Sequence, residues 1–120
     1  ASRDFIFVED MARGLMACAL KGEEGGVYNL ATGRETSILE LATLINEFTG
    51  NETPLDLRPA RDWDRSGKRF ASTEKAKNEL DFVAEVEIRD GVERMVEWTK
   101  QNKDMIARNI ERHAKLMSQV

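Results

Sequence analysis

The sequence predicts an α/β fold: a small βαβ-containing domain with short parallel strands and about four helices, the last one long. Two observations carry this prediction. Runs of aromatic and β-branched residues at 3–8 and 27–30 flank a segment whose apolar residues recur at intervals of three and four. A strand, helix, strand order implies a parallel unit with a right-handed crossover. Further amphipathic segments downstream predict the remaining helices.

Composition limits the class of protein. The chain has 120 residues, enough for one modest domain, and carries a net charge of -4. This acidic balance argues against a dedicated nucleic-acid binder. Apolar runs are too short for a membrane span, and the charged first ten residues do not resemble a signal peptide. The single cysteine, Cys18, excludes an internal disulfide and fits a reducing compartment, so we expect a cytoplasmic protein.

The first half of the chain predicts strand, helix, strand, helix. Glu9 and Asp10 supply the negative first turn of a helix that extends to about Lys21. Its predicted core face consists of Val8, Met11, Ala12, Leu15, Cys18 and Ala19. After the second strand at 27–30, Ser37 and Glu40 form a capping box, and Gly50 ends the helix that follows.

The second half predicts an edge strand and two further helices. Residues 53–58 form the candidate strand, which Pro54 confines to its start or to a sheet edge. Ser72 is placed to cap a short helix over 73–80, and the last helix begins near Ile88. A stripe then continues to the chain end through Met105, Ile106, Ile110, His113 and Met117. It predicts a long terminal helix, with a solvated, frayed tail as the alternative.

One charged stretch suggests a binding site. Residues 57–70 hold five basic and two acidic side chains within an acidic chain, which favours an anionic ligand. Pro59 and Gly67 predict a loop, where binding residues are often displayed. The alternative is a solvated loop with internal Arg–Asp pairs.

Two other polar residues fall at element ends, where βα units meet ligands. They are Arg3 at the start of the first strand and Asn29 at the end of the second. Two arginines converging on a diphosphate would supply paired, charge-assisted hydrogen bonds. Asp62 has acceptors for sugar hydroxyls, and the Asn29 amide has a donor and an acceptor for a base edge.

Several chemistries lack their motifs. The sequence has no Gly-rich dinucleotide fingerprint, no P-loop and no Tyr-x-x-x-Lys, since Tyr28 is followed at that spacing by Thr32. His113 and Cys18 are the only residues of their types, so we expect no metal site and no Cys/His nucleophile. We assign no catalytic residue to this chain.

Five motifs together resemble a known family: RDFIFVEDMARG at 3–14, GVYNLA at 26–31, RPARD at 58–62, ASTEKA at 71–76 and ELDF at 79–82. From residue 3 to about 100 the chain is similar to the C-terminal, substrate-binding portion of extended short-chain dehydrogenase/reductases. These are NAD(P)-dependent nucleotide-sugar epimerases and dehydratases. The resemblance explains the missing motifs, because in that family the NAD(P) site and the catalytic residues lie in an N-terminal Rossmann domain.

The resemblance implies a role for individual residues. Arg3 and Arg58 would contact the nucleotide diphosphate, Asn29 the nucleotide, and Asp62 its ribose or the surrounding loop, while Arg61 occupies a variable position. The implied partners are a nucleotide-diphosphate sugar and the Rossmann domain of the same polypeptide, and a homodimer remains open. Residues 1–102 would form the substrate-binding domain, and 103–120 a helical C-terminal extension.

Two other functions remain open at this stage. The first is a regulatory domain that senses a nucleotide sugar or NAD(P) without catalysis and that keeps Arg3 and Arg58. The second is a helical interaction module that acts through the stripe at 105–117.

Overall fold

A computed structural model of the chain describes residues 1–59 and 67–117, with side chains described up to residue 114. Its elements are β1 (Ser2–Arg3), α1 (Val8–Lys21), β2 (Thr36–Ser37), α2 (Ile38–Thr49), α3 (Glu74–Leu80), α4 (Ile88–Gln101) and α5 (Lys103–Met117). The broad α/β class is confirmed, and the described residues contain five helices where the sequence predicted about four.

The predicted βαβ unit with parallel strands is not confirmed in the described residues. In the described residues the one sheet is a short antiparallel pair, in which Ser2 lies opposite Ser37 and Arg3 opposite Thr36. Parallel pairing is limited there to an isolated bridge between Ser2 and Lys68. Residues 4–7, 27–30 and 53–58 are outside any strand. A strand requires a hydrogen-bonded neighbour, which β propensity cannot supply.

The core lies where α1 and α3 meet the segments around residues 28–30 and 82–84. Its buried members are Ala76, Leu80 and Phe82, and the half-buried residues packed against them are Ile6, Ala17, Cys18, Tyr28, Leu30 and Ala84. A Cβ on Gly14 would lie 2.9 Å from Cδ2 of Leu30 and 3.1 Å from Cε2 of Phe82. Gly14 therefore allows α1 to approach the core closely.

This close approach corrects the predicted orientation of α1. Its bounds agree with the prediction, but it turns Asp10, Gly14, Ala17 and Cys18 inward. Ala12, Leu15 and Ala19, which the stripe assigned to the core, are exposed. The apolar period identified the helix correctly and misassigned its buried face, because small residues line the side that packs most tightly.

The caps of α2 follow the sequence, and the start of α3 does not. The Ser37 hydroxyl accepts a hydrogen bond from the Glu40 N–H at 3.0 Å, and Gly50 ends α2 in the left-handed conformation at φ 68°. Helix α3 begins at Glu74, with Thr73 as its N-cap and no side-chain cap. The prediction that Ser72 caps this helix was wrong.

The predicted long terminal helix is two helices. Helix α4 begins at Ile88, as expected, and ends where the Asn102 side-chain amide donates to the Trp98 carbonyl at 2.8 Å. The Asn102 backbone N–H also donates to the Trp98 and Thr99 carbonyls, and the Asn102 carbonyl accepts from the Ile106 N–H, so the two helices meet at this residue. No helix in the described part of the chain is both long and apolar enough to span a membrane.

Candidate functional site

Arg3 lies beside Gly67, near the C-terminal end of the charged stretch at 57–70. Its Nη1 donates to the Gly67 carbonyl at 3.0 Å and to the Ser2 carbonyl at 2.7 Å. Backbone bonds join the same segments: the Ser2 N–H donates to Gly67 O at 3.2 Å, and the Arg69 N–H donates to Ser2 O at 3.3 Å. The Arg3 guanidinium therefore lies near the C-terminal end of the charged stretch.

Asp4 holds this region together. Its Oδ1 accepts from the Thr32 N–H at 2.9 Å and from the Thr32 hydroxyl at 2.6 Å. Its Oδ2 accepts from the Gly33 N–H at 2.9 Å and from the Ala71 N–H at 3.5 Å. The Asp4 carboxylate thus links the segment after β1 to the turn at 32–33 and to Ala71, which follows the charged stretch. Asp4 thus anchors the backbone next to Arg3, whose guanidinium is positioned by its own bonds to the Ser2 and Gly67 carbonyls.

Asn29 joins the same region from the other side. Its side-chain amide donates to the Ser72 carbonyl at 3.3 Å. Arg3 and Asn29, far apart in sequence, therefore contact the two ends of the segment 67–72. This bond uses one amide donor and leaves the carbonyl oxygen of the side chain able to accept from a ligand.

Arg58 stands apart from this cluster. Its side chain is 82% exposed, and its Nε pairs with Oδ2 of Asp56 at 2.7 Å. No contact within the described residues brings Arg58 to Arg3 or Asn29. Asp62 and Arg61 lie outside the described residues. The structure thus connects two of the predicted site residues.

The electrostatics near Arg3 are mixed. Glu35 accepts a hydrogen bond from the Ser2 hydroxyl, and it lies 3.6 Å from the Lys68 ammonium. The hydroxyl bond, opposed in part by burial and assisted by Lys68, holds the pKa of Glu35 below its usual range. Glu35 is thus ionised at neutral pH and offsets part of the positive charge of Lys68.

The sequence interpretation missed Asp4 and Glu35. Asp4 follows Arg3 directly, and Thr32-Gly33 offers the turn donors that a carboxylate satisfies. That pair of features was the available signal. No sequence signal indicated Glu35, because its contacts with Ser2 and Lys68 form only when the chain is folded.

Around residues 67–72 the structure brings together the cationic groups of Arg3 and Lys68 and the side-chain amide of Asn29. Within 1–59 and 67–114, no group of three or more His, Cys, Asp or Glu side chains could hold a metal ion. A groove of about 430 Å³ lies elsewhere, between α2 and α4, with Phe48 and Trp98 in its lining. None of the predicted site residues lines this groove.

Comparison with known sequences gives consistent relatives. No family model matches the chain. A UDP-glucose 4-epimerase of Cyamopsis tetragonoloba is 35% identical over 107 residues, which are 85% of this chain and 30% of that enzyme. UDP-glucose 4-epimerase 3 of Oryza sativa is 37% identical over 107 residues. The chain thus spans about 30% of the length of these relatives.

Solved structures of epimerase-like enzymes are also similar to this chain. The Bordetella bronchiseptica enzyme WbmF, in complex with NAD+ and UDP, is 56% identical with a TM-score of 0.83, over 100% of this chain and 36% of WbmF. Epimerase Mth375 of Methanothermobacter thermautotrophicus is 39% identical with a TM-score of 0.83, over 89% of this chain and 32% of Mth375. These relatives confirm the resemblance to NAD-dependent nucleotide-sugar epimerases of the extended short-chain dehydrogenase/reductase family.

Proposed function

We propose that this chain, a homologue of UDP-glucose 4-epimerases and of WbmF, is the nucleotide-sugar-binding part of an NAD(P)-dependent epimerase or dehydratase. One observation carries the proposal: 56% identity along the whole chain to an enzyme whose structure contains NAD+ and UDP. The cofactor would bind to the remainder of the longer polypeptide, because the chain has no dinucleotide fingerprint. The chain alone would not catalyse the reaction.

The proposed ligand is a nucleotide-diphosphate sugar. Arg3 and Arg58 would contact the diphosphate, Asn29 the base, and Asp62 the ribose, with Arg61 as a further candidate. The bonds from Arg3 to Gly67 and from Asn29 to Ser72 support a common site, since both lie along one short segment. Arginine suits this role because its planar fork donates to two phosphate oxygens at once.

Arg58 would have to change partners on binding. It pairs with the exposed Asp56, and such surface pairs contribute only about 0–1 kcal/mol. A diphosphate carries more charge than a carboxylate and offers several acceptors, so exchange of the partner would be favourable. Asp56 would hold the guanidinium loosely until the ligand arrives.

The contribution to catalysis would be positioning. When bound, NAD(P) accepts a hydride from the sugar. Residues of this chain would bind the nucleotide and diphosphate, and so fix the sugar at the distance and orientation that the transfer requires. Binding energy from the non-reacting nucleotide would thereby serve the reacting carbon.

We also propose two units within the chain, a substrate-binding domain over residues 1–102 and a helical extension over 103–120. The break between α4 and α5 at Asn102 supports this boundary. The extension has a counterpart in WbmF, because the structural match to WbmF covers the whole chain.

Calorimetric titration of the full-length parent polypeptide with UDP tests the proposal. Arg58→Ala removes one charge-assisted contact, so we expect UDP to bind about 10–100-fold more weakly. Arg89→Ala is the matched control, because Arg89 is also an exposed arginine paired with a carboxylate, that of Glu47. Unchanged affinity in Arg58→Ala, or equal losses in both variants, would contradict the proposed site.

A further inference from the structure

The segment at 67–69 lies along the edge of β1 that β2 leaves open. The Ser2 N–H donates to the Gly67 carbonyl at 3.2 Å, and the Arg69 N–H donates to the Ser2 carbonyl at 3.3 Å. These two bonds are the parallel pattern in which Ser2 lies opposite Lys68. The register of the end of the charged stretch against β1 is therefore defined.

One face of this small sheet holds an ion pair. Ser2 and Lys68 are opposite each other, so their side chains lie on the same face. Glu35 confirms this placement, because it accepts a hydrogen bond from the Ser2 hydroxyl and lies 3.6 Å from the Lys68 ammonium. The positive charge of Lys68 is thus offset on its own face.

Arg69 belongs to the other face, together with Arg3. Side chains alternate along an extended backbone, so Arg69 points away from the Lys68 face and Arg3 points away from the Ser2 face. The parallel register then sets Arg3 beside Arg69 on neighbouring segments. The Arg69 side chain is exposed, and it pairs with no carboxylate in the part of the chain that the structure describes.

The backbone that carries Arg69 is held on both sides. Before it, the Gly67 carbonyl is bonded to β1, and after it, the Ala71 N–H donates to Oδ2 of Asp4 at 3.5 Å. An anion that reaches Arg69 therefore meets a side chain whose backbone is already positioned. Less conformational freedom is then lost on binding than at an unanchored loop.

We infer that Arg69 is a further phosphate-binding residue, which acts beside Arg3 on the same anion. The inference deepens the proposed function and rests on it, because the anion is the diphosphate of the nucleotide sugar. Two guanidiniums on one face present two planar donor forks, and the oxygens of a phosphate can accept from both. Lys68 has the same charge and the next position in sequence, but it lies on the opposite face and pairs with Glu35.

The test is a calorimetric titration of the full-length parent polypeptide with UDP, comparing Arg69→Ala with Lys68→Ala. Both substitutions remove one positive charge from an exposed side chain, at adjacent positions that lie on opposite faces. We expect Arg69→Ala to bind UDP about tenfold more weakly or worse, because a charge-assisted contact is lost. Lys68→Ala should lose about twofold at most, and the urea midpoints of both variants should match that of the unsubstituted protein.

Two outcomes would overturn the inference. The first is an affinity for UDP that Arg69→Ala leaves unchanged. The second is an equal loss in Arg69→Ala and Lys68→Ala, since a loss that follows net charge alone does not depend on the face. The titration of Arg58→Ala separates these results from failure of the proposed function: a loss there with none in Arg69→Ala refutes only the role of Arg69.

Discussion

Replacement of Asp10 gives the sharpest test of how α1 is anchored. The Asp10 carboxylate is buried, and its Oδ2 accepts from the N–H groups of Glu85 at 3.0 Å and Val86 at 2.9 Å. Its Oδ1 accepts from Nη2 of Arg13 at 2.6 Å. The residue thus ties the first turn of α1 to the segment that leads into α4.

The expected cost of Asp10→Ala follows from these bonds. The two backbone donors would be left without a partner, and each hydrogen bond to a charged group contributes about 1.5–3 kcal/mol. Arg13 adds little, about 0–1 kcal/mol, because its side chain is 42% exposed. The free energy of unfolding should therefore fall by about 3–6 kcal/mol, measured by urea denaturation of the 120-residue chain.

Glu9→Ala is the matched control. Glu9 shares the first turn of α1 and interacts with the same helix dipole, but it is exposed and pairs only with Arg94 in the described residues. We expect a cost of about 0.5 kcal/mol or less. Equal costs for the two variants would refute the assignment of an anchoring role to Asp10.

The pH dependence provides a second measurement on the same residue. Burial raises the pKa of Asp10, but the bonds from Val86, Arg13 and Glu85 outweigh burial and hold the pKa below its ordinary value. The unfolded state therefore binds the proton more readily, and the stabilisation is lost as the pH falls below about 4. We expect Asp10→Asn to have a shallower loss of stability in that range than the unsubstituted chain, whereas an identical slope would contradict the lowered pKa.

Three further predictions concern the core and the site. Leu80→Ala empties a position that is 1% exposed and should cost about 2–5 kcal/mol in urea denaturation, whereas Val83→Ala, at 52% exposure, should cost well under 1 kcal/mol. Asp4→Ala leaves the Thr32 and Gly33 N–H groups without a partner and should cost about 2–4 kcal/mol; a cost equal to that of Asp56→Ala would argue against a structural role. Asp56→Asn removes the competitor for Arg58, so UDP should bind the full-length protein up to about fivefold more tightly, and weaker binding would contradict the partner exchange.

Local signals predicted the helices well. The capping box at Ser37 and Glu40, the Gly50 terminus and the start of α4 near Ile88 all depend on residues within a few positions of each other. Helix starts and stops of this kind are set by short-range contacts, so they can be read from the sequence. The break between α4 and α5 was missed: α4 ends at Asn102, and an asparagine within an apolar stripe is not by itself a stop signal.

The strands and the site depended on distant parts of the chain and were predicted less well. Residues 27–30 have a strand's alternation, but a ladder needs a partner that sequence cannot place. The same limit applies to Arg3: its type suggested an anionic ligand, but its contact with Gly67 depends on the anchor at Asp4. Arg58 belongs to the charged stretch that predicted an anionic ligand, and the family resemblance assigned it to the diphosphate; in the structure it pairs with Asp56, two residues earlier.

The misassigned face of α1 now has a physical explanation. Periodicity reports that a helix side is apolar, and it does not report which layer covers that side. In α1 the predicted face contains Leu15, which is exposed, while Gly14 makes the close approach to the core. The apolar stripe was therefore identified as the buried face, although the side that packs on the core carries Gly14, Ala17 and Cys18.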